Sequence, residues 1–432
     1  MFGRVKSPIK KPLWKRCVYT AAILVIIQIV SQIPTWGINQ NYMKAILNSN
    51  TGLGFISSLT GTSMERMSVL ALGITPYITA QIILQLLSVV IPAIEEMQRD
   101  GESGKKKHDR LSYIITFFLT VSQSIAMGIA FGRQGLFTNF KWYYVVTSTI
   151  TWTCGVMALV AVGKYIEKNL VGNGTSLILA GNIISRVPSD LVTLYENLAK
   201  GKSIAVQCLT MGISAIGILA LMAFVVVYSG AERNIKTTNS RKVSNRYAST
   251  GDLPLRLSIV SVVPIIFAST LFSIPSMVTM FTGQPSNNIA QKVLSVFNQS
   301  NWFTDWIPSI GVPVYFALII FFSYFYAEIT FNPMEIAHNL KKSGAMIQGI
   351  RPGKPTEDYI KSKTSSVVFL GSLFLVIIAL LPCVVNAIFH IGTSFSFFGT
   401  SLIIMVNVVY ETYKTVKAEH AGAKYHGTNL FA

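Results

Sequence analysis

Residues 364–410 read TSSVVFLGSLFLVIIALLPCVVNAIFHIGTSFSFFGTSLIIMVNVVY, 47 consecutive positions without an Asp, Glu, Lys or Arg. A helix needs about 20 mostly apolar residues to cross the ~30 Å hydrocarbon core of a bilayer. The stretch therefore holds two crossings, with the turn near His390. A second charge-free window, residues 257–291, runs for 35 residues. Over all 432 residues, 51% are hydrophobic and only 12% charged, where a soluble domain carries about 25% charged residues. A water-surrounded fold would leave these windows facing solvent. The composition thus implies an all-α polytopic membrane protein.

Nine segments have the length and apolarity of a span: 17–34, 67–91, 111–132, 143–163, 203–229, 257–278, 311–330, 365–388 and 392–412. A tenth, 174–189 (GTSLILAGNIISRVPS), is short, and topology requires it, because every later loop would otherwise change sides. The first span is too long and poorly flanked for a cleaved signal peptide. Lys and Arg mark the cytosolic side of short loops. With the N-terminus inside, cytosolic segments hold 28 of the 36 basic residues and outside segments hold 8. The expected orientation is N-in, C-in. The net charge of +18 then needs no nucleic acid to explain it, although a basic cytosolic face could dock an RNA-rich or acidic partner. Ten spans divide into five and five, and an odd number per half makes any repeat inverted, as in transporter-like folds. The expected halves are residues 1–195 and 196–432, and the second half carries large cytosolic loops at 230–256 and 332–363.

Chemistry-bearing motifs are missing. There is no HExxH metalloprotease motif and no GxSxG elbow. VGNGTS at 171–176 lacks the Lys of a phosphate-binding loop and reads as a helix-starting turn capped by Asn173. Cys17, Cys154, Cys208 and Cys383 are too scattered for a metal site or a disulfide framework and read as packing residues. The chain is not expected to be an enzyme or to hold a metal or cofactor. Ion relays need ionisable groups inside the membrane. The charge-free windows are read as covering essentially the whole of every span, with Glu328 near the end of the eighth as the nearest exception, so a proton- or sodium-coupled pump is disfavoured.

Other segments are harder to read as plain spans. In TGLGFISSLTGTSMERM (51–67), the apolar centre Leu53, Gly54, Phe55, Ile56, Ser57, Ser58 and Leu59 is too short to cross. It reads either as a surface loop or as a half-helix folded into a cavity, since irregular backbone at membrane depth must line a cavity or be buried in protein. In the second span, Pro76 of GITPYI favours a kink. Ile74 and Ile78 lie four apart on one helix face, and Leu179 and Ile183 repeat that spacing. The loops 230–256 and 332–363 are long, basic and rich in turn residues, which marks them as functional. GIRPG would hold Arg351 at a fixed loop tip.

The motifs ALGITPYITAQIILQLL (71–87), GESGKKK (101–107), GNGTSLI (172–178), LPLRLSIVSVVPIIFASTL (253–271), FNPMEIAHNLKKSGAMIQGIRPG (331–353) and FGTSLII (398–404) follow one another from residue 71 to residue 404. In order and spacing the chain resembles the SecY family, the channel subunit of the bacterial Sec protein translocase. The resemblance implies ten helices in two inverted five-helix halves around a central pore. It implies a pore ring of Ile74, Ile78, Leu179, Ile183, Ile266 and Ile404, and a plug at about 51–65. An apolar ring gates ions by dewetting while yielding to a peptide. The resemblance also implies a lateral gate with Gln123 and Ser258 at its seam, where Ser258 stands in place of the family's usual Asn. Gln348 similarly replaces a Pro before Gly-Ile-Arg-Pro-Gly. The implied docking residues for the SecA motor or the ribosome are Arg241, Lys242, Arg246 and Arg351. Implied partners are SecE, SecG, SecA, the ribosome, signal peptides, translocating polypeptides and the lipid bilayer, in the bacterial plasma membrane.

Two other classes compete. A secondary transporter or flippase would need a charged or polar midplane site. A membrane scaffold that merely recruits ribosomes would need neither paired aliphatic positions nor a half-helix. Asn407 near the ring reads as an inter-helix hydrogen bond.

Overall fold

The computed structural model describes residues 13–39, 54–99, 101–137, 140–198, 203–239, 250–257, 262–282, 288–297, 302, 309–389 and 398–425. Leu53, Arg241, Lys242, Arg246 and Ser258 lie outside the described residues. In chain order the elements begin with α1 (Leu13–Val30), α2 (Gly54–Thr60), α3 (Thr62–Glu65), α4 (Thr75–Val90), α5 (Pro92–Arg99), α6 (Gly101–Phe131), α7 (Trp142–Asn169), α8 (Gly174–Leu198) and α9 (Ile204–Gly230). They continue with β1 (Glu232–Asn239), β2 (Thr250–Arg256), α10 (Val263–Thr282), α11 (Asn288–Val296), α12 (Gly311–Thr330), α13 (Pro333–Ser343), β3 (Ala345–Ile347), α14 (Lys354–Phe389) and α15 (Phe398–Tyr425). Each of the ten expected spans overlaps one helix. Among the described residues, seven helices are long and apolar enough to cross a membrane, and α4 is a shorter apolar one. On α9, Leu209, Ile213, Ile216, Leu219 and Val227 all stand exposed, as a lipid-facing helix requires and a solvated one does not tolerate.

The chain forms two compact units. One comprises Met1–Val192, Met277–Pro285 and Val408–Ala432, and the other Thr193–Ser276 and Ser286–Asn407. In the first, Trp152 is fully buried on α7 and donates its indole N–H to Thr35 Oγ1 at 3.1 Å. Thr116 and Thr120 on α6 each donate to the carbonyl four residues back at 2.7 Å. Buried Arg16 on α1 pairs with Glu419 of α15 at 2.7 Å and donates to the Leu170 carbonyl. It borders a polar cavity of about 370 Å³ that also meets Lys168, Asn173, Glu411 and Thr412. In the second unit, Phe272, Trp302 and Tyr315 form an edge-to-face cluster, and Ser269 shares a 2.8 Å hydrogen bond with Tyr315. Ser229 on α9 donates to Asn407 Oδ1 on α15, which is the inter-helix role expected of Asn407.

Four expectations need correction. The helix of the second span starts at Thr75 rather than near residue 67, with Pro76 in its first turn, where the missing N–H is an orphan anyway. Pro76 starts this helix instead of kinking it, and residues 67–74 form turns that are buried apart from half-buried Val69. Their apolarity had suggested a helix, but Met67 takes a left-handed φ of 46°. The turns are stitched to the end of α1 by Thr35 N–H to Met67 O and Val69 N–H to Ile33 O, at 3.0 and 3.1 Å. The stretch 186–202, read as a loop, is helical through Leu198 with Pro188 inside α8. The fold is mostly but not entirely α-helical, because the loops 230–256 and 332–363 contribute an antiparallel sheet of order β2-β1-β3. Ile235, Leu255, Ile347 and Ile360 form a buried core beneath it, flanked by Leu253, Phe331, Ile336 and Leu340. Of the cysteines, only Cys383 is buried, while Cys154 and Cys208 stand on exposed helix faces.

Candidate plug seat and pore-lining positions

The segment read as a half-helix does form a short helix, α2, followed directly by α3. From Ser57 to Met64 every residue is buried. Gly61 joins the two helices with φ 66° and ψ −147°, a region open essentially to glycine alone. A β-carbon there would lie 2.3 Å from the Asn182 carbonyl oxygen and 2.9 Å from Ser185 Oγ, both on α8. Gly73, just before α4, has φ 56°, and its β-carbon would meet Thr60 Cγ2 at 3.1 Å. The segment is therefore held at backbone contact by the two elements that carry Ile74 and Ile183.

Polar groups fasten the same place. Gln32, in the turn that follows α1, donates to Thr62 Oγ1 at 3.3 Å, and Gln28 on α1 donates to Asn182 Oδ1 at 3.1 Å. Arg186 on α8 lies with its side chain only 7% exposed. Its guanidinium donates to Ser57 Oγ, pairs with Glu65 at 3.8 Å and hydrogen-bonds Asp190 at 3.1 Å. Arg186 is twelve residues into a candidate span of Gly174–Glu196, roughly 18 Å along the helix. The expectation that the spans are free of buried charge fails here. An Arg-Val-Pro sequence looks like the end of a helix, and the continuation through Pro188 hid the charge. The available signal was Asp190, four residues on, where it can pair with Arg186 on one helical face.

Ile74 caps α4, is 1% exposed, and lies one turn before half-buried Ile78, whose N–H bonds its carbonyl at 3.1 Å. Leu179 and Ile183, one turn apart on α8, are both buried. Ile266 on α10 and Ile404 on α15 are buried within the second unit. Gln123 is half-buried on α6, and Glu328 is exposed on α12. Asn173 caps α8, accepting from the N–H groups of Thr175 and Ser176 at 3.2 and 3.4 Å, as its sequence suggested. Arg351 is exposed between Gly349 and Gly353, which have φ 81° and 112°. Its carbonyl accepts from Thr356 Oγ1 at 2.8 Å. The turn is thus built on the sheet and on the start of α14, and it fixes the backbone of Arg351 while leaving the guanidinium in the open.

A family model described as SecY matches residues 68–413. The chain belongs to the SecY family. It is 35% identical to the protein translocase subunit SecY of Rickettsia typhi (strain ATCC VR-144 / Wilmington) over 427 residues, covering 96% of this chain and 95% of the relative. It is 32% identical to the protein of the same name from Pseudomonas aeruginosa, covering 96% and 92%. Among solved structures, a protein-conducting channel aligns with TM-score 0.67 at 18% identity, over 99% of this chain and 97% of that one. Sec61 in a canine ribosome-channel complex aligns with TM-score 0.65 at 18% identity and the same coverage. These two likenesses establish a shared fold, that of the SecY/Sec61 channels. The motifs at 71–87, 172–178, 253–271, 331–353 and 398–404, read from the sequence as SecY-like, all fall within the matched stretch.

Proposed function

We propose that this chain is the central channel of a Sec translocase in a bacterial plasma membrane, passing unfolded, signal-bearing polypeptides and releasing hydrophobic segments sideways into lipid. In this reading the ten spans lie N-in and C-in, in inverted halves 1–195 and 196–432. Ile74, Ile78, Leu179, Ile183, Ile266 and Ile404 form the constriction, and the 51–65 segment plugs it. Gln123 and Ser258 belong to the lateral gate. SecE and SecG complete the complex, and SecA with ATP or a ribosome supplies the driving force. Arg351 is the docking contact, with Arg241, Lys242 and Arg246 beside it.

One observation carries the proposal beyond family membership. The short helix α2 is too short to span, is buried from Ser57 to Thr60, and is wedged against the two elements that bear Ile74 and Ile183. A scaffold has no use for such a helix. The aliphatic positions add support, because a ring without polar groups dewets and blocks ions when closed. The test is Ile404→Asn in the complex reconstituted into liposomes. The expected result is a rise in ion leak and passage of precursors with weakened signals. Unchanged leak and unchanged signal stringency, in a folded variant, would overturn the channel reading.

A further inference from the structure

Arg186 has two kinds of carboxylate partner. Asp190 lies on its own helix, four residues on, at 3.1 Å. Glu65 belongs to α3, continuous with the plug helix, at 3.8 Å. Ser57, on the plug helix itself, accepts from the same guanidinium. A charge this deep in protein is tolerated only when paired. If the 54–65 segment withdraws, Arg186 loses Glu65 and Ser57 but keeps Asp190.

Resting on the channel reading above, we propose that Arg186, Asp190 and Glu65 form a detachable latch that sets how readily the plug leaves its seat. Glu65 is the releasable partner and stabilises the closed state. Asp190 is the resident partner and stabilises the open state, because it keeps the arginine compensated once the plug has gone. Arg186 is a positioning residue whose planar fork can serve both carboxylates and a hydroxyl at once. The two carboxylates therefore act in opposite directions. Removing Glu65's charge loosens the seat. Removing Asp190's charge tightens it, since the plug then becomes the only source of a counter-charge among these three groups. A merely structural cluster has no such opposition, and losing either carboxylate would loosen the packing.

The test places cysteines at positions 32 and 62, where Gln32 and Thr62 touch, in the full complex with Cys17, Cys154, Cys208 and Cys383 replaced. A short bismaleimide then reports the seated fraction, and ion leak through liposomes is measured alongside. Glu65→Gln is expected to shift the seated-to-released ratio about tenfold towards release, and Asp190→Asn about tenfold towards the seated form, the scale of one partly buried pair. Ser57→Ala is expected to loosen the seat by a smaller factor. Shifts of both carboxylate variants in the same direction, or none in either, would overturn the latch. Should Asp190→Asn fail to assemble, Glu65→Asp answers in its place. It keeps the charge and should hold the plug better than Glu65→Gln, and equal loosening by both would refute the latch. The crosslink does not depend on transport. Opposite shifts in a complex that passes no polypeptide would sustain the latch and overturn the channel reading, whereas normal transport with unshifted crosslinks would do the reverse.

Discussion

Gly61→Ala tests whether the seat of the short helix is the closed state of a gate. At φ 66° and ψ −147° an L-residue is strained by ~1–3 kcal/mol. The new methyl would also stand 2.3 Å from the Asn182 carbonyl oxygen and 2.9 Å from Ser185 Oγ. Neither neighbour yields easily, because Ser185 Oγ already donates to the Asn182 carbonyl at 2.7 Å and both sit in the middle of α8. Overpacking of this kind costs ~1–3 kcal/mol. The two effects together destabilise the seated form by about 3 kcal/mol, on the order of a hundredfold in the seated-to-released ratio. Both are relieved when the segment leaves. The assay is the crosslink between positions 32 and 62, together with ion leak from liposomes. Gly349→Ala is the control. It introduces alanine at φ 81°, where nothing lies within 4 Å of the new carbon, so it carries backbone strain without a clash and should leave the leak unchanged. A Gly61→Ala protein that crosslinks and seals like the parent would refute the reasoning.

Asn407→Ala removes the buried acceptor of Ser229 and should lower stability by about 1 kcal/mol. That loss would be read as a lower unfolding midpoint in detergent, with the ion seal intact. Arg351→Glu reverses an exposed charge on a rigid turn. It should weaken binding of SecA or the ribosome at least about tenfold without raising ion leak, as measured by equilibrium binding to the reconstituted complex. Unchanged binding would remove Arg351 from the docking surface.

The apolar windows made the helices legible, since 20-residue crossings leave little freedom of interpretation. Each of the ten expected segments overlaps a helix, and the capping role of Asn173 and the hydrogen bond of Asn407 were readable from side-chain chemistry. What escaped was irregular structure buried in apolar sequence. Residues 67–74 look like the start of a span, yet they turn and pair with residues 33–35. Hydropathy reports burial and cannot distinguish a buried turn from a buried helix. Arg186 escaped for the opposite reason. A charge beside a proline resembles a helix end, and its burial is tolerable because Asp190 on its own helix and the tertiary partners Ser57 and Glu65 compensate it. The sheet escaped because β1 and β3 lie about a hundred residues apart, and neither ERNIKTTN nor AMI alternates in a way that signals pairing. Of the candidate ring positions, Ile74, Ile78, Leu179 and Ile183 were singled out by spacing, and Ile266 and Ile404 by the resemblance alone. The fastening of residues 57–65 to α8 depends on long-range contacts that no local pattern encodes.

The most direct test of the channel itself places a photo-crosslinking residue at Ile78 and supplies a precursor arrested halfway by a folded C-terminal domain. The expected result is a crosslink to the precursor's middle that requires a signal sequence and either SecA with ATP or a translating ribosome. A folded, correctly targeted complex that yields no such crosslink would contradict the account.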